Sequence, residues 1–327
     1  MSGSGDRLAL GVDLGGTNFR VGLITREGKL LDHQEHPTPR SDHEPAALNA
    51  AAAAAAGLLE KATVKPKQLA GVGMGIPGPV DPESGLIHQC PNLHELDGVN
   101  AVEVISSAVG APAFIGNDAY CATLAELRYG AGRHVANLVM FTLGTGVGGG
   151  IALDNQVRRG QRQVMGEVGH IIVEPNGPRC GCGNHGCLEA LVGRDGIVDR
   201  AVRLLEQGRA SALADVAGPV HKGLTPKNIA EHAAAGDELA LEVMHGTGYY
   251  IGLALCDCIV TCDPDLIVMG GGIAAAGDLL LEPIRRTVRH RSMISGFDTT
   301  KIVPAELGNE AGIYGAAALV WDGLGEA

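Results

Sequence analysis

Three cysteines and a histidine stand close together in Gly169-His170 and, nine residues later, Cys180-Gly181-Cys182-Gly183-Asn184-His185-Gly186-Cys187. Thiolate and imidazole donors at this spacing suit a tetrahedral zinc ion, and the intervening glycines permit a tight knuckle around it. The predicted ligands are His170, Cys180, Cys182 and Cys187. A complete Cys3His shell leaves no open coordination position, so this zinc is predicted to be structural and not hydrolytic. The competing readings are thiols gathered by chance and disulfides. The disulfide reading conflicts with an N-terminus that has no apolar export segment. His185 reads as a solvated loop residue. Cys256, Cys258 and Cys262 lack a histidine partner and read as small core residues.

Two glycine-rich turns offer phosphate chemistry. In Asp13-Leu14-Gly15-Gly16-Thr17-Asn18, backbone N–H groups can face an anion and Thr17 adds a hydroxyl. Asp13 offers a hard carboxylate for Mg²⁺. Leu143-Gly144-Thr145-Gly146 is a second turn of the same kind. An ordinary glycine-rich hairpin is the plainer alternative for each. Asn117-Asp118 follows a predicted strand and opens a predicted helix. There Asp118 is either an N-cap or a general base at the carboxyl end of a strand. Glu167 and Glu189 flank the zinc ligands, and Pro91-Asn92-Leu93 adds an amide. Such an array suits a ligand with several hydroxyl groups. The G-x-G-x-x-G matches at Gly73–Gly78 and Gly144–Gly149 lead into Pro-Gly-Pro and into another strand, so neither is a dinucleotide fingerprint. No P-loop sequence is present.

These groups need a scaffold that brings turns together. Strands are predicted over 7–13, 19–25, 29–35, 69–77, 112–116, 137–144, 147–154, 265–272 and 301–307. Helices are predicted over 45–61, 99–109, 119–129, 193–207, 225–235, 237–262, 278–290 and 311–321. Their alternation gives an α/β class. The two glycine-tipped hairpins imply two similar halves facing each other across a cleft. The run Ala50–Ala56 reads as a helix lying close on a sheet. With 327 residues and 45% hydrophobic content, the chain has enough sequence for two cores. The net charge of −12 argues against nucleic-acid binding. The stretch Tyr249–Val260 is too short for a membrane span, and a cytoplasmic location is predicted.

In this order and spacing, DLGGTNFR, GIPGPVD, PNL, GND, LGTGVGGG, GEVGH and CxCGxxGCxE resemble the ROK family of sugar kinases. The resemblance covers the chain from Leu8 to the final helix, and its zinc signature GHx9CxCGxxGCxE is the most specific part. It implies the actin-like, Hsp70- and hexokinase-type ATPase fold. The implied division is a small domain, 1–117 completed by 309–327, and a larger one, 118–308, with the zinc loop. It implies ATP, Mg²⁺ and a hexose as ligands, and a homodimer or homotetramer. Asp118 matches the catalytic base. Gly78, Asn92, Asn117, Asp118, Glu167, His170 and Glu189 match sugar contacts, with His170 serving zinc and sugar together. Asp13, Gly15, Gly16 and Thr17 match the first phosphate turn, Thr145 and Gly146 the second, and Gly271 and Gly272 the adenosine contact. The implied activity is an ATP-dependent hexose kinase, first of all a glucokinase. The runners-up are an N-acylhexosamine or mannose kinase and, in another class, a non-catalytic sugar sensor. Family members that repress transcription carry a helix-turn-helix ahead of this fold, and here the first strand starts by Leu8. Polyphosphate-using relatives generally lack the zinc motif, which favours ATP as donor.

Overall fold

Strands with apolar residues on both faces must be covered on both sides. Leu8–Leu14 (β1) is such a strand: its residues from Ala9 to Val12 are all buried. In the computed structural model, which describes residues 7–218, 223–292 and 300–326, the chain divides into two units. The first is Met1–Arg133 with Glu306–Ala327, and the second is His134–Ala305. The sequence division after residue 117 differs from this one by the helix that starts at Asp118. That helix packs on the C-terminal helix Ala311–Gly323 and so belongs to the first unit.

In the first unit β1, β2 (Asn18–Thr25) and β3 (Leu30–Pro37) form an antiparallel meander. Helix α1 (Ala46–Lys61), which contains the alanine run, then leads to β4 (Leu69–Ile76), parallel to β1. A short hairpin, β5 (Val80–Asp81) and β6 (Leu86–Ile87), was not legible in the sequence. Helix α2 (Ala101–Val109), β7 (Ala113–Asn117) and α3 (Asp118–Tyr129) follow. The sheet order is β3-β2-β1-β4-β7, with β7 parallel to β4.

Side chains alternate between the faces of a strand. On one face Leu10, Val12, Val72 and Met74 join Leu48, Ala51 and Ala55 of α1 in one core. On the other face Ala9, Ile24 and Ala70 join Ile313, Ala317, Val320 and Trp321 of the C-terminal helix. Gly11, Gly22 and Gly73 occupy that second face. A Cβ at Gly11 would fall on the Ile313 carbonyl, and one at Gly73 on the Ala316 carbonyl.

The second unit repeats this winding. Strands β8 (Leu138–Leu143), β9 (Val147–Leu153) and β10 (Gln156–Arg158) form a meander. Helices α4 (Leu188–Val192), α5 (Arg194–Glu206), α6 (Leu213–Ala217), α7 (Pro226–Ala234) and α8 (Glu238–Cys262) follow. Then come β11 (Leu266–Gly270), α9 (Asp278–Arg291) and β12 (Lys301–Pro304), and α10 (Ala311–Gly323) returns to the first unit. The order β10-β9-β8-β11-β12, with β11 parallel to β8 and β12 parallel to β11, matches the first sheet strand for strand. Helix α8 has the length and mean hydropathy to span a membrane, yet 56% of its most apolar window is buried inside the fold. It packs on α9, α7, α5 and α4, as a core helix does. Cys258 lies in this core and Cys262 packs against it.

Because the Gly73 obstacle is backbone, Gly73→Ala cannot be absorbed by a side-chain rotation. It is expected to cost about 1–3 kcal/mol or more, the range for overpacking. The measurement is the denaturation midpoint, and an unchanged midpoint would show that α10 is free to lift from the sheet.

Candidate functional site

Parallel strands point their carboxyl ends the same way, and ligands of α/β folds bind there. In the first unit these ends deliver Asp13 from β1, the loop at Gly78 after β4, and Asn117-Asp118 from β7. Asp13 lies on the α10 side of the sheet, where its carboxylate fills the space a side chain at Gly312 would need. Burial pushes its carboxyl up from the ordinary value, and the Arg20 guanidinium, 3.6 Å away, opposes that. Arg20 is itself held by Glu35 at 3.0 Å.

The turn after β1 is braced from outside. The Gly15 N–H donates to Asn18 O at 3.1 Å. Thr38 Oγ1 donates to Gly15 O at 2.7 Å, and its N–H donates to Thr17 O at 2.8 Å. Arg40 donates to Gly16 O at 2.6 Å and also to Asn92 O. Carbonyls thus engaged leave the exposed Thr17 at the tip of the turn. Neither Thr38 nor Arg40 was found by sequence reasoning, because both lie outside the motif and act on its carbonyls. Arg40 also joins two predicted elements, the first phosphate turn and the Asn92 loop.

The cap of α3 is Asn117. Its Oδ1 accepts from the N–H groups of Ala119 (2.9 Å) and Tyr120 (3.3 Å), and its Nδ2 donates to Gly78 O at 3.0 Å. One side chain therefore fixes the start of the helix and the Gly78 loop together. Asp118 is the first residue of the helix and is exposed. Its Oδ1 accepts from the Ala119 N–H at 2.8 Å.

In the second unit the donors of His170, Cys180, Cys182 and Cys187 all lie within 4.8 Å of one another. Cys180 Sγ is 3.7 Å from His170 Nδ1, and Cys182 Sγ is 3.7 Å from Cys187 Sγ. Four ligands around zinc at about 2.3 Å define a tetrahedron with edges of roughly 3.8 Å. The cluster therefore fits that ion. Burial pushes the Cys187 thiol up to about 12 and raises Cys180 too, while the Asn184 N–H lowers Cys182. The knuckle is a small antiparallel turn in which Cys180 N–H bonds Asn184 O at 2.7 Å. His185 is exposed beside it, with Nδ1 3.3 Å from Gly177 O.

Helix α4 begins immediately after Cys187 and carries Glu189. One carboxylate oxygen of Glu189 accepts the Val147 N–H at 2.9 Å, and the other is 3.7 Å from Cys180 Sγ. The same side chain occupies the space beside Gly146. Glu189 thereby joins the cysteine cluster to the Thr145-Gly146 turn. Gly169, next to His170, packs against the Val147 carbonyl. Gly271, at φ +85°, lies against Leu143 at the base of the same turn, and Gly272 is open beside it. Glu167 is exposed at the start of the 3-10 turn Val168–His170. The second unit thus gathers Thr145, Gly146, Glu189, Gly271 and the four metal-type donors around one strand end. The first unit gathers Asp13, the Gly15–Thr17 turn, Gly78, Asn92, Asn117 and Asp118.

Known proteins resemble this chain along nearly its whole length. The ROK family model matches residues 9–322. A glucokinase of Halalkalibacterium halodurans is 34% identical over 96% of this chain and 95% of its own. The structure of a Streptomyces griseus ROK glucokinase in complex with glucose and AMPPNP superposes with a TM-score of 0.78 at 33% identity, covering 95% of this chain and 98% of that one. The transcriptional regulator NagC of Escherichia coli is 32% identical over 95% of this chain, which spans 75% of the regulator. Sheet topology, turn chemistry and full-length similarity agree, and the chain belongs to the ROK family, with two similarly wound units that form the actin-like sugar-kinase fold.

Proposed function

We infer that this protein is an ATP-dependent hexose kinase that phosphorylates glucose on its 6-hydroxyl. The observation that carries the reading is the carboxyl end of β7. There Asn117 supplies the helix cap, and Asp118 stands exposed beside it. A carboxylate in that position suits a general base. In this reading the sugar 6-oxygen attacks the γ-phosphorus of ATP, its proton passes to Asp118, and ADP leaves. Asp13 would hold Mg²⁺, which would supply neutralisation of phosphate charge. The N–H groups of Gly16 and Thr17, in the turn that Gly15 closes through its own N–H bond to Asn18 O, and those of the Thr145–Gly146 turn receive the phosphate oxygens, and the Gly271-Gly272 backbone borders the adenosine. Gly78, Asn92, Asn117, Glu167, His170 and Glu189 hold the sugar hydroxyls. Phosphoryl transfer is mainly positioning and charge stabilisation, so the reading asks these residues to hold the phosphates and the attacking oxygen in line.

Zinc on His170, Cys180, Cys182 and Cys187 has a structural role in this proposal. It fixes the 3-10 turn that carries Glu167 and the helix that carries Glu189. A cytoplasmic location and a homodimer or homotetramer complete the picture that the family implies. The second reading, a sugar sensor, is favoured by the similarity to NagC. Asp118 and two complete phosphate turns speak for turnover instead, and glucose-dependent ADP release distinguishes the two.

Asp118→Asn keeps shape and most hydrogen bonds but takes up no proton. Its kcat is expected to fall about 10²–10⁴-fold with glucose affinity nearly unchanged. Turnover above a tenth of the wild-type rate would remove Asp118 as the base.

Metal analysis is expected to find one zinc per chain. Cys182→Ser should lose it and weaken both stability and glucose binding, since the flanking glutamates depend on the same loop. Active protein free of zinc would refute the assignment.

With one Trp, four Phe and five Tyr, and aromatics at only 3% of the chain, selectivity is expected to rest on hydrogen bonds rather than ring stacking. A missing hydroxyl leaves a buried partner unpaired at a cost of about 1–3 kcal/mol. The order of kcat/KM is expected to be glucose, then mannose or glucosamine, then N-acetylated hexosamines. 6-Deoxyglucose should bind without turnover. Preference for N-acetylmannosamine or N-acetylglucosamine would change the substrate and leave the kinase assignment intact.

A further inference from the structure

Among the described residues, Glu126 is the one charged side chain that is buried, with 0% of its surface exposed. An apolar residue would fill the same space, so the carboxylate must be explained by its partners. Oε2 accepts from the N–H groups of Ala131 (2.8 Å) and Glu306 (3.2 Å), and Oε1 accepts from that of Leu307 (2.9 Å). Gly130 has no room for a side chain because this carboxylate occupies it.

These partners lie at special places in the chain. The polypeptide leaves the first unit after Arg133 and re-enters it at Glu306. Glu126 therefore binds the departing and the returning passage with one side chain. Arg133 adds a tie at the surface, donating to Gly130 O at 2.9 Å and pairing with Glu306 at 2.5 Å. From Leu307 the chain turns directly into α10, where Gly312 lies against the Asp13 carboxylate. In the other direction Glu126 shares α3 with Asp118, about 12 Å away along the helix. One buried carboxylate thus connects by short, rigid paths to both aspartates of the proposed transfer chemistry.

We propose that Glu126 is a positioning residue for phosphoryl transfer: by binding both chain passages to α3 it holds Asp118 and Asp13 in fixed relation while substrates bind. The proposal rests on the kinase reading of those two aspartates.

Glu126→Gln tests it, because the variant keeps the size but turns an NH2 group towards at least one of the three backbone donors. The kcat per folded molecule, measured well below the unfolding temperature, is expected to fall about 10- to 100-fold, as misplaced reacting groups do. Glucose Kd by calorimetry should stay within about threefold, since no side chain assigned to the sugar is itself changed. Amide exchange at Ala131, Glu306 and Leu307 should quicken together. A purely structural role would lower Tm and leave the kcat of folded molecules unchanged, and that result overturns the proposal. Should the Gln variant not fold, Arg133→Ala removes the surface tie alone. Its kcat is expected to drop by about threefold or more, and an unchanged value would equally overturn it. Wild type assayed alongside separates the two claims. A wild type inactive on all hexoses sinks the kinase reading, while the three amides still report whether Glu126 ties the passages.

Discussion

Helix α10 lies on the first sheet only because Gly11, Gly22 and Gly73 place no side chain beneath it. The rest of the first unit follows from that approach. It buries Ile313, Ala317, Val320 and Trp321 on the sheet and covers a face that would otherwise expose Ala9, Ile24 and Ala70. It also sets Gly312 against Asp13, so the strand-end carboxylate is enclosed by the start of the same helix. Burial alone disfavours the charged form of such a group, and Arg20 counters it at 3.6 Å. A packing constraint and an electrostatic one therefore meet at a single residue. The glycines of the strands and the aspartate of the turn are parts of one arrangement.

Much of this was legible because it is local. Short runs bounded by glycine and charged turns placed the first meander and the β8–β9 hairpin, though not β10, and the alanine run gave α1 as a helix close on a sheet, where the structure buries Ala51 and Ala55. The metal-type cluster was legible from donor spacing, since four donors that must share one ion leave a mark in sequence. The boundaries that moved did so for physical reasons. Strand β11 ends at Gly270 because Gly271 turns to φ +85°. Strand β12 stops at Pro304, since the next amides but one bond Glu126 and not a neighbouring strand. What was not legible is contact over long separations. Arg40 on Gly16 and Asn92, Thr38 on Gly15, and Glu126 on Glu306 and Leu307 join residues that no spacing rule relates. Helix α4 is too short for periodicity to reveal, yet it carries Glu189.

The two phosphate-type turns occupy equivalent places in two equivalent sheets, but they are stiffened differently. The first is held by Thr38 and Arg40, which take up its carbonyls. The second is held by Glu189, which takes up the Val147 N–H just past Gly146. A carboxylate at that position is unusual company for an anion. One of its oxygens takes up a backbone donor and fills the space beside Gly146, and the other lies towards Cys180.

This gives the cysteine cluster a physical purpose within the proposed kinase. From Ile171 to Cys187 only Cys180, Gly186 and Cys187 are buried, and past Val173, which with Ile171 packs on the unit's core, the loop has little apolar packing to fix its shape. A segment of that kind keeps a definite geometry only if something other than hydrophobic burial cross-links it. Four converging donors provide the cross-link when they share an ion, and Cys187 passes the restraint directly into α4. Glu189 then carries it to the second turn. On this argument an ion held by the four donors would restrain the second turn through Glu189, in addition to the sugar contacts that the proposal gives to Glu167 and His170.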